Sequence, residues 1–413
     1  MNKQQEPRLR FKGFTGAWEE KKLEDIFNTI RNAFVGTATP YYVENGHFYL
    51  ESNNIKNGEI NKNSQIFIND EFYYKQQDKW LKTNDLVMVQ SGHVGHCAVI
   101  PEELNNVAAH ALIMFSNYKS EANPYFLSYQ FQTNSKINEI AKITTGNTIK
   151  HILSSDMKEF VVDFPMVEEQ TQLGNFFRRL DSQIAESRAV LEKSRQLKKA
   201  MLVKMFPANG EKIPKIRFKG FEGEWERNEL GCLGYCLSGI GFSENEQGGE
   251  NGIPFFKVSD MNLSGNEIYL RKANNYVTQE QIDKQRWQVI QQLPCIFFAK
   301  VGAALLLNRK RLVNTPFLLD NNTMAFILDS SLDNYFMKTL FDTIDLPALA
   351  QIGALPSINA KDIEKNIVFI PTPKEQSAIG NFFRQLDETI ALQSTEIEKL
   401  NQLKKGLLAA MLV

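Results

Sequence analysis

Two short segments carry the residue types that grip an exocyclic amino group during methyl transfer. Asn314-Thr315-Pro316-Phe317 fits the pattern Asn/Asp/Ser-x-Pro-Tyr/Phe, and Asn123-Pro124-Tyr125-Phe126 approximates it. Such an enzyme also needs a glycine-rich turn between a strand and a helix for its methyl donor. Phe11–Gly16 and Phe218–Gly223 share these glycines but lie outside a strand–turn–helix context. A stand-alone adenine-N6 DNA methyltransferase is therefore kept as an alternative only.

Other catalytic and metal-binding patterns are incomplete. The sequence has no Gly-Lys dipeptide, and therefore no phosphate-binding loop of a nucleotide-driven motor. His93, His96 and Cys97 could hold a metal by residue type, and Cys232 with Cys236 could form half of a zinc site. No second ligand pair follows at the spacing of a zinc finger. We predict no catalytic residue, no metal and no cofactor in this chain.

A third set of residues has the types that contact DNA. Arginine pairs with guanine through two hydrogen bonds, lysine neutralises phosphate, and amide and hydroxyl groups reach base edges. Asn308–Arg311 is a compact basic turn between apolar runs, for which a solvated hairpin is the alternative. The predicted DNA contacts are Ser91, Gly92, His93, Asn147, Thr148, Lys150 and His151, followed by Lys300, Asn308, Arg309, Lys310, Arg311, Asn321, Ser357 and Asn359.

The total charge neither identifies nor excludes a DNA-binding protein. The 413 residues include 47 Lys and Arg against 48 Asp and Glu, which excludes a histone-like polycation but not a basic face. The strongest local excess lies between Lys193 and Gly220, with nine basic residues and one acid, Glu211. Neutralisation of phosphate and docking of a partner at a helix end explain this stretch equally well.

No targeting or membrane segment is expected. The N-terminal residues are polar and basic, without the apolar core of a signal peptide. The longest apolar stretch, Cys295–Leu307, is interrupted by Lys300 and is shorter than the ~20 residues that span a bilayer. The sequence predicts a cytoplasmic protein.

The chain contains two copies of one pattern. Pro7–Glu19 (PRLRFKGFTGAWE) returns as Pro214–Glu226 (PKIRFKGFEGEWE), and we call this segment the opening motif. Pro165–Ala185 returns as Pro371–Ala391, and both keep the run Gly-Asn-Phe-Phe. Two landmarks repeated at offsets of about half the chain length indicate a tandem duplication.

The residues between these landmarks differ between the copies. This contrast suggests that the ends meet a shared partner while the middles bind different targets; drift after duplication is the alternative. Val94-Gly95 is matched with Val301-Gly302, with little else identical. We predict an α/β (α+β) fold with two globular modules, at residues 1–166 and 207–372, each including its opening motif.

Within the modules, short apolar runs punctuated by Asn, Gly and Ser predict strands. Asn123–Lys142 in module one and residues 334–344 in module two have the spacing of helices. The predicted strands are 41–52, 64–70 and 85–92 in module one, and 295–302, 305–313 and 325–328 in module two.

Each module is followed by a segment with a strong helical pattern. Residues 167–206 and 373–413 carry apolar residues at steps of three and four over about 38 residues, or roughly 57 Å of helix. A stripe of that length favours a coiled-coil partner. We predict that the two helices pair antiparallel, as a pseudo-two-fold internal repeat. Packing of each helix on its own module alone is the alternative.

Together these features resemble the specificity subunit of a type I DNA restriction–modification system. The resemblance rests on the duplicated helix starts, the runs Leu197–Lys199 and Leu403–Lys405, and the duplicated opening motif. Asn123–Leu127 also resembles the helix opening of that family. Module two departs from the pattern, because Phe297–Lys300 stands where a Ser-Gly loop is expected and no Asn-Pro-Tyr-Phe opens its helix.

The resemblance implies that each module is a target recognition domain that reads one half of a bipartite, asymmetric DNA site. The paired helices would space the halves and dock two methyltransferase subunits, which bind S-adenosylmethionine and methylate adenine at N6. Two motor-nuclease subunits would complete the complex, and this chain would be non-catalytic. A bivalent protein-binding scaffold is the rival. The implied partner contacts are Phe176, Phe177, Leu180, Ile184, Phe382, Phe383, Leu386 and Ile390.

Overall fold

The structure is a computed structural model that describes residues 6–146, 149–208, 210–351 and 355–413. Its contacts divide the chain into two units. Unit 1 comprises Met1–Glu186 with Ile397–Val413, and unit 2 comprises Ser187–Glu396. Each unit therefore holds one module, the start of the helix that follows it, and the end of the other copy's helix. No helix in the described ranges combines the length and hydropathy needed to cross a bilayer.

Unit 1 is organised around an antiparallel sheet with a core on each face. The strands are β1 Glu19–Lys22, β2 Phe27–Asn32, β3 Tyr42–Val43, β4 His47–Leu50, β5 Ile55–Lys56, β6 Glu59–Ile60, β7 Ile66–Ile68, β8 Leu86–Val89, β9 Cys97–Val99, β10 Ala108–Ala109, β11 Leu112–Tyr118 and β12 Val161–Phe164. The helices are α1 Leu23–Ile26, α2 Asp70–Lys75, α3 Pro124–Gln130, α4 Asn134–Ile143, α5 Ser154–Lys158 and α6 Val167–Met205, which continues into unit 2.

The central sheet of unit 1 has the order β2-β11-β8-β9. All of β8 is buried, because Leu86 and Met88 enter one core while Val87 and Val89 enter the other. This is the alternation expected of a strand with apolar cover on both faces. A second sheet, β10-β4-β7-β3, and the ladders β1-β12 and β5-β6 complete the described sheets of the unit.

Unit 2 repeats this organisation with different residues. Its strands are β13 Glu226–Glu229, β14 Gly234–Ser238, β15 Ile253–Phe256, β16 Tyr276–Val277, β17 Cys295–Ala299, β18 Lys310–Val313, β19 Leu318–Leu319, β20 Thr323–Leu328 and β21 Ile367–Ile370. Its helices are α7 Gln279–Gln285, α8 Ala303–Leu306, α9 Asn334–Thr343, α10 Ala360–Glu364 and α11 Pro373–Met411, whose end lies in unit 1. The sheet β14-β20-β17-β18 matches β2-β11-β8-β9, and β13-β21 matches β1-β12.

The predicted α/β fold with two modules and two long helices is confirmed, with three local differences. The predicted strand 41–52 is two short strands, β3 and β4, separated by residues 44–46. The predicted strand 305–313 is wrong in its first half, because α8 comes first and β18 begins at Lys310. Asn308, with a φ of 51°, turns the chain between them. The predicted helix Asn123–Lys142 is two helices, because the Thr133 hydroxyl accepts from Lys136 N and caps a new one, α4.

The opening motif clamps the start of each long helix. Arg10 donates from Nε and Nη2 to the carboxylate of Glu169, at 2.6 and 2.7 Å. Arg217 makes the same two bonds to Glu375, at 2.6 and 2.7 Å. The aromatic residues of the motif also repeat their packing: Phe11 on Phe176, Phe218 on Phe382, and Trp18 and Trp225 buried. The motif therefore acts as a framework element in both copies.

In each unit, the end of one long helix lies beside the start of the other. In unit 1, Lys404 of α11 pairs with Asp181 of α6 at 2.6 Å, and Leu408 shares the core with the start of α6. In unit 2, Lys198 of α6 pairs with Asp387 of α11 at 2.7 Å. An end beside a start is an antiparallel arrangement, so the predicted pairing is confirmed within each unit. The repeated Leu-Lys-Lys runs supply both lysines.

The Gly-Asn-Phe-Phe run begins with glycine because another helix cap touches it. A Cβ built on Gly174 would lie 2.5 Å from Oδ1 of Asn123, which caps α3. A Cβ on Gly380 would lie 2.3 Å from Oδ1 of Asp333, which caps α9. Asp333 therefore opens α9 as Asn123 opens α3, an equivalence that the sequence comparison missed.

We expect Gly380→Ala to lower the free energy of unfolding by about 1–3 kcal/mol, because the new methyl group forces the Asp333 cap to move. Gly406→Ala, in the same helix with nothing within 4 Å of its Cβ, is the control and should raise stability by about 0.5–1 kcal/mol. Urea unfolding of both variants measures the effect. Equal behaviour of the two would contradict the close approach.

Candidate nucleic-acid interface

In unit 1, two segments distant in sequence join beside the central sheet. The loop between β8 and β9, residues 90–96, pairs through its backbone with residues 149–152. Gly92 N donates to Lys150 O at 3.1 Å, and Ile152 N donates to Gln90 O at 3.0 Å. A bridge between Ser91 and His151 lies between these bonds. We call these segments the two-loop site of module one. Two of the predicted contacts, Asn147 and Thr148, lie outside the described residues.

Module two has the same arrangement at residues 300–309 and 355–358, its own two-loop site. Gly302 N donates to Pro356 O at 2.9 Å, and Ile358 N donates to Lys300 O at 3.0 Å. Val301 bridges to Ser357. The backbone hydrogen bonds of one site thus recur in the other, although the residues differ.

This equivalence corrects the sequence match of Val94-Gly95 with Val301-Gly302. The structural counterpart of Val301-Gly302 is Ser91-Gly92, because these pairs make the same backbone bonds. Gly92 and Gly302 also share a positive φ, 82° and 75°, which glycine adopts without strain. The sequence comparison aligned the wrong residues because the loop of module two, residues 300–309, contains α8 and is longer than residues 90–96 of module one. Lys300 then takes the place of Gln90, so module two keeps the loop that its sequence seemed to lack.

The shared backbone presents different side chains in the two modules. In module one His93, Lys150 and His151 are exposed, and Ser91 is half-buried. These groups supply hydroxyl, imidazole and ammonium donors, which suit mixed contacts to bases and phosphate.

In module two, Lys300 and Ser357 are half-buried, and Asn321 and Asn359 are exposed. Lys300 N donates to Asn322 O at 2.9 Å, which brings the Asn321–Asn322 turn to the same place. Amide and hydroxyl groups dominate here. The two sites therefore offer unlike chemistry on one frame.

The basic turn at 308–311 is largely internal, which corrects part of the prediction. Lys310 is buried and donates to Asn308 Oδ1 at 2.7 Å and to Ile344 O at 2.8 Å, so the predicted DNA contact of Lys310 is wrong. Burial lowers the pKa of Lys310 to about 8. Asn308 and Arg311 also use their polar atoms on backbone groups of the module. Of the four residues, Arg309 is the exposed one.

Four of the predicted partner contacts are buried inside the chain. Phe177 and Phe383 are fully buried in the cores of units 1 and 2, and Leu180 and Ile184 are also buried. These four predictions are wrong, because these side chains pack inside the chain and offer little surface to another subunit. The half-buried positions, which stay predictions, are Phe176, Phe382, Leu386 and Ile390.

The histidines of module one are not grouped as metal ligands. His110 places Nδ1 3.4 Å from Glu51 Oε1, and its Nε2 lies 2.9 Å from Gly36 O. The hydrogen bond with Glu51 raises the pKa of His110, and the same bond lowers the pKa of Glu51. Burial lowers the pKa of His96. Within the described residues, no group of three His, Cys, Asp or Glu side chains could hold a metal ion.

We expect the stabilising effect of His110 to fall as the pH rises. Folding raises its pKa above the ordinary 6.5, so the contribution is fully present below that pH and is lost as the pH rises through the raised pKa. His110→Gln should therefore lower the urea midpoint more at about pH 6 than at about pH 9. The exposed His151→Gln is the control for loss of an imidazole and should change the urea midpoint little. A loss for His110→Gln that is equal at both pH values would contradict the ion pair.

The sequence of the chain matches a known protein family over both modules. The family model of the type I restriction modification DNA specificity domain matches residues 16–193 and again residues 222–402. The chain belongs to this family. Each match begins inside the opening motif and covers the rest of one module, its two-loop site and most of the long helix that follows, so the chain carries two specificity domains.

Three similar proteins match this chain over nearly its whole length. A Methanocaldococcus jannaschii protein described as a type I restriction enzyme MjaX specificity subunit is 24% identical over 96% of this chain and 92% of its own. The solved S subunit of a type I restriction–modification system from M. genitalium has a TM-score of 0.66 at 15% identity, with 99% of both chains covered. A chain solved in work on complex assembly and conformational transition of the type I R-M system has a TM-score of 0.55 at 15% identity, covering 95% and 96%. These structural likenesses show a shared fold.

Proposed function

We propose that this specificity-family chain reads a bipartite, asymmetric DNA site, one half with each module. The observation that supports the proposal is the pair of two-loop sites, where the same backbone bonds carry different side chains. The two modules share a backbone arrangement but differ in their loop side chains. This suits a complex that has the same partner subunit on each side and reads two different DNA half-sites. Direct contacts to base edges specify sequence, and these loops carry the exposed groups that can make them.

The repeated parts of the chain are assigned to shared partners. The exposed faces of α6 and α11, with the half-buried Phe176 and Phe382, would dock two methyltransferase subunits. These subunits would bind S-adenosylmethionine and methylate adenine at N6, and two motor-nuclease subunits would complete the complex. The chain itself would be non-catalytic. Assembly of a type I system from several subunits is the subject of one of the structures that share this fold.

The geometry disfavours a methyltransferase site at Asn314–Phe317. Phe317 is fully buried in a core of unit 2, so its ring is not free to stack on a base. In the other segment, the Asn123 side chain accepts from Phe126 N as a helix cap. Both segments therefore have structural roles that account for their residue types.

Titration calorimetry tests the assignment of the chemistry. S-adenosylmethionine added to the isolated chain should give no binding heat, whereas the complex with its methyltransferase partner should bind the cofactor and duplex DNA. Methyl transfer by the chain alone would contradict the non-catalytic assignment. A complex that binds no duplex at any salt concentration would favour the protein-binding scaffold instead.

A further inference from the structure

A cavity of about 500 Å³ lies in unit 2 beside the loop that joins β17 to β18. Its walls come from the second half of α6, from residues 308–311, and from α9 and α11. Seven basic and three acidic residues line it, so the lining has an excess of positive charge. Charge held away from water is costly unless another charge compensates it, so the partners of each lining cation decide whether the cavity favours an anion.

Four of the charged groups compensate one another. Lys198 lies 2.7 Å from Asp387 and 3.2 Å from Asp342. Lys338 lies 2.7 Å from Asp342 and 3.0 Å from Asp387. Two ammonium groups and two carboxylates thus form a closed cluster that needs no ligand.

Two further cations, Lys310 and Arg311, make no ion pair within the described part of the chain, although Asp342 acts on both at longer range. Lys310 donates to Asn308 Oδ1 and Ile344 O, and Arg311 donates to backbone carbonyls that include Asn266 O. Within the described residues, none of their hydrogen bonds reaches an acid. Burial lowers the pKa of both side chains, which is the cost of holding charge away from water. An anion in the cavity would reduce that cost.

Three exposed cations surround the cavity. Arg195 and Lys199 lie one turn apart on α6, and Arg309 extends from the loop, where it donates to Asn262 Oδ1. Glu267 is the lining acid outside the paired cluster, so the positive excess remains. Arginine and lysine around an opening suit a phosphate group, which accepts several charge-assisted hydrogen bonds at once.

Module one lacks counterparts of the two interior cations, Lys310 and Arg311. Strand β9 of module one is equivalent to β18 of module two. Their pairing with β8 and β17 shows that Cys97 and Ala98 occupy the positions of Lys310 and Arg311. Both modules keep the sheet, but the cationic interior belongs to module two. A ligand of this cavity therefore acts on one side of the chain.

We propose that this cavity binds a phosphate group of the DNA backbone beside the half-site read by module two, through Arg195, Lys199 and Arg309. The proposal rests on the proposed function, which brings duplex DNA to this loop. Lys300, the first residue of the loop, belongs to the two-loop site, and Arg309 ends the loop at the cavity. A phosphate contact fixes the register of the protein on DNA without reading bases.

The test uses the full chain with its methyltransferase partner and two duplexes, one with the recognised site and one scrambled. Arg195→Gln/Lys199→Gln should weaken binding of both duplexes by a similar factor, about tenfold. It should also lower the slope of log affinity against log salt by about one to two. The control is Lys284→Gln/Lys365→Gln, which removes two exposed lysines of unit 2 that neither line the cavity nor lie on α6, and it should keep the slope.

An unchanged slope in the cavity variant, or an equal loss in the control, would overturn the proposal. Inorganic pyrophosphate titrated into the full chain separates the two sources of phosphate. If pyrophosphate binds while the cavity variant keeps its duplex affinity, the cavity belongs to a free phosphate compound and the DNA contact is refuted. Failure of the unmodified complex to distinguish the two duplexes would instead contradict the proposed function.

Discussion

Exchange of residues 230–366 for the corresponding segment of another family member is expected to change one half of the methylated sequence and to leave the other half unchanged. The segment begins after β13 and ends before β21, and Leu230 N donates to Asn366 O, so the two cuts are neighbours in space. It contains the two-loop site of module two. The Arg217–Glu375 pair and both long helices stay in place.

Sequencing of N6-methyladenine in the genome of a host that carries the exchanged chain measures the outcome. The matched control is exchange of residues 23–160, bounded in the same way by Leu23 N donating to Phe160 O, and it should change the other half. A change in both halves after either exchange would contradict the assignment of one half-site to one module. A cut at residue 222 would fall inside the opening motif, ahead of the buried Trp225.

The repeated elements could be predicted from the sequence because their signals are local. The three- and four-residue spacing of apolar side chains depends on helix geometry alone, so it located α6 and α11. The repeated opening motif and Gly-Asn-Phe-Phe run located the ends of the modules. The antiparallel pairing followed because equivalent helices with equivalent stripes have few other ways to meet.

The surroundings of single side chains could not be predicted in this way. The spacing of apolar residues predicts that Phe177 packs against apolar side chains. It does not show that these side chains belong to the core of unit 1 rather than to another subunit. Lys310 has the sequence context of an exposed turn, yet the register of β17 with β18 places it opposite Phe298, and Ile344, distant in sequence, supplies an acceptor. Both outcomes depend on contacts distant in sequence.

The sequence did not reveal that the two-loop sites of the two modules are equivalent, because their backbone hydrogen bonds are the same while their residues differ. Gly92 and Gly302 have the same role, but the loop of module two is longer and displaces the sequence match. Asp333 caps α9 as Asn123 caps α3, since either side chain offers the oxygen that a helix start requires. A role that several residue types can fill, such as capping a helix, is hard to recognise by comparing sequences.

Arg217→Met is expected to lower the free energy of unfolding by about 2–4 kcal/mol. Glu375 is 1% exposed and takes two hydrogen bonds from this guanidinium, so the substitution leaves a carboxylate buried without its cation. Arg217→Met/Glu375→Met removes the buried charge as well and should recover more than about half of the loss. Urea unfolding gives the three free energies. Lys212→Met breaks an exposed pair with Glu224 and is the control, with an expected change below about 0.5 kcal/mol.

A double variant that is no more stable than Arg217→Met would show that the loss comes from packing of the arginine rather than from the unpaired carboxylate. If the coupling is found, the same experiment on Arg10 and Glu169 should give a similar value, because the geometry of that pair is the same. Two equal clamps would fix the helix starts independently of the loops between them. The loops could then change their side chains at little cost to the stability of the framework, as the proposed reading of one half-site by each module requires.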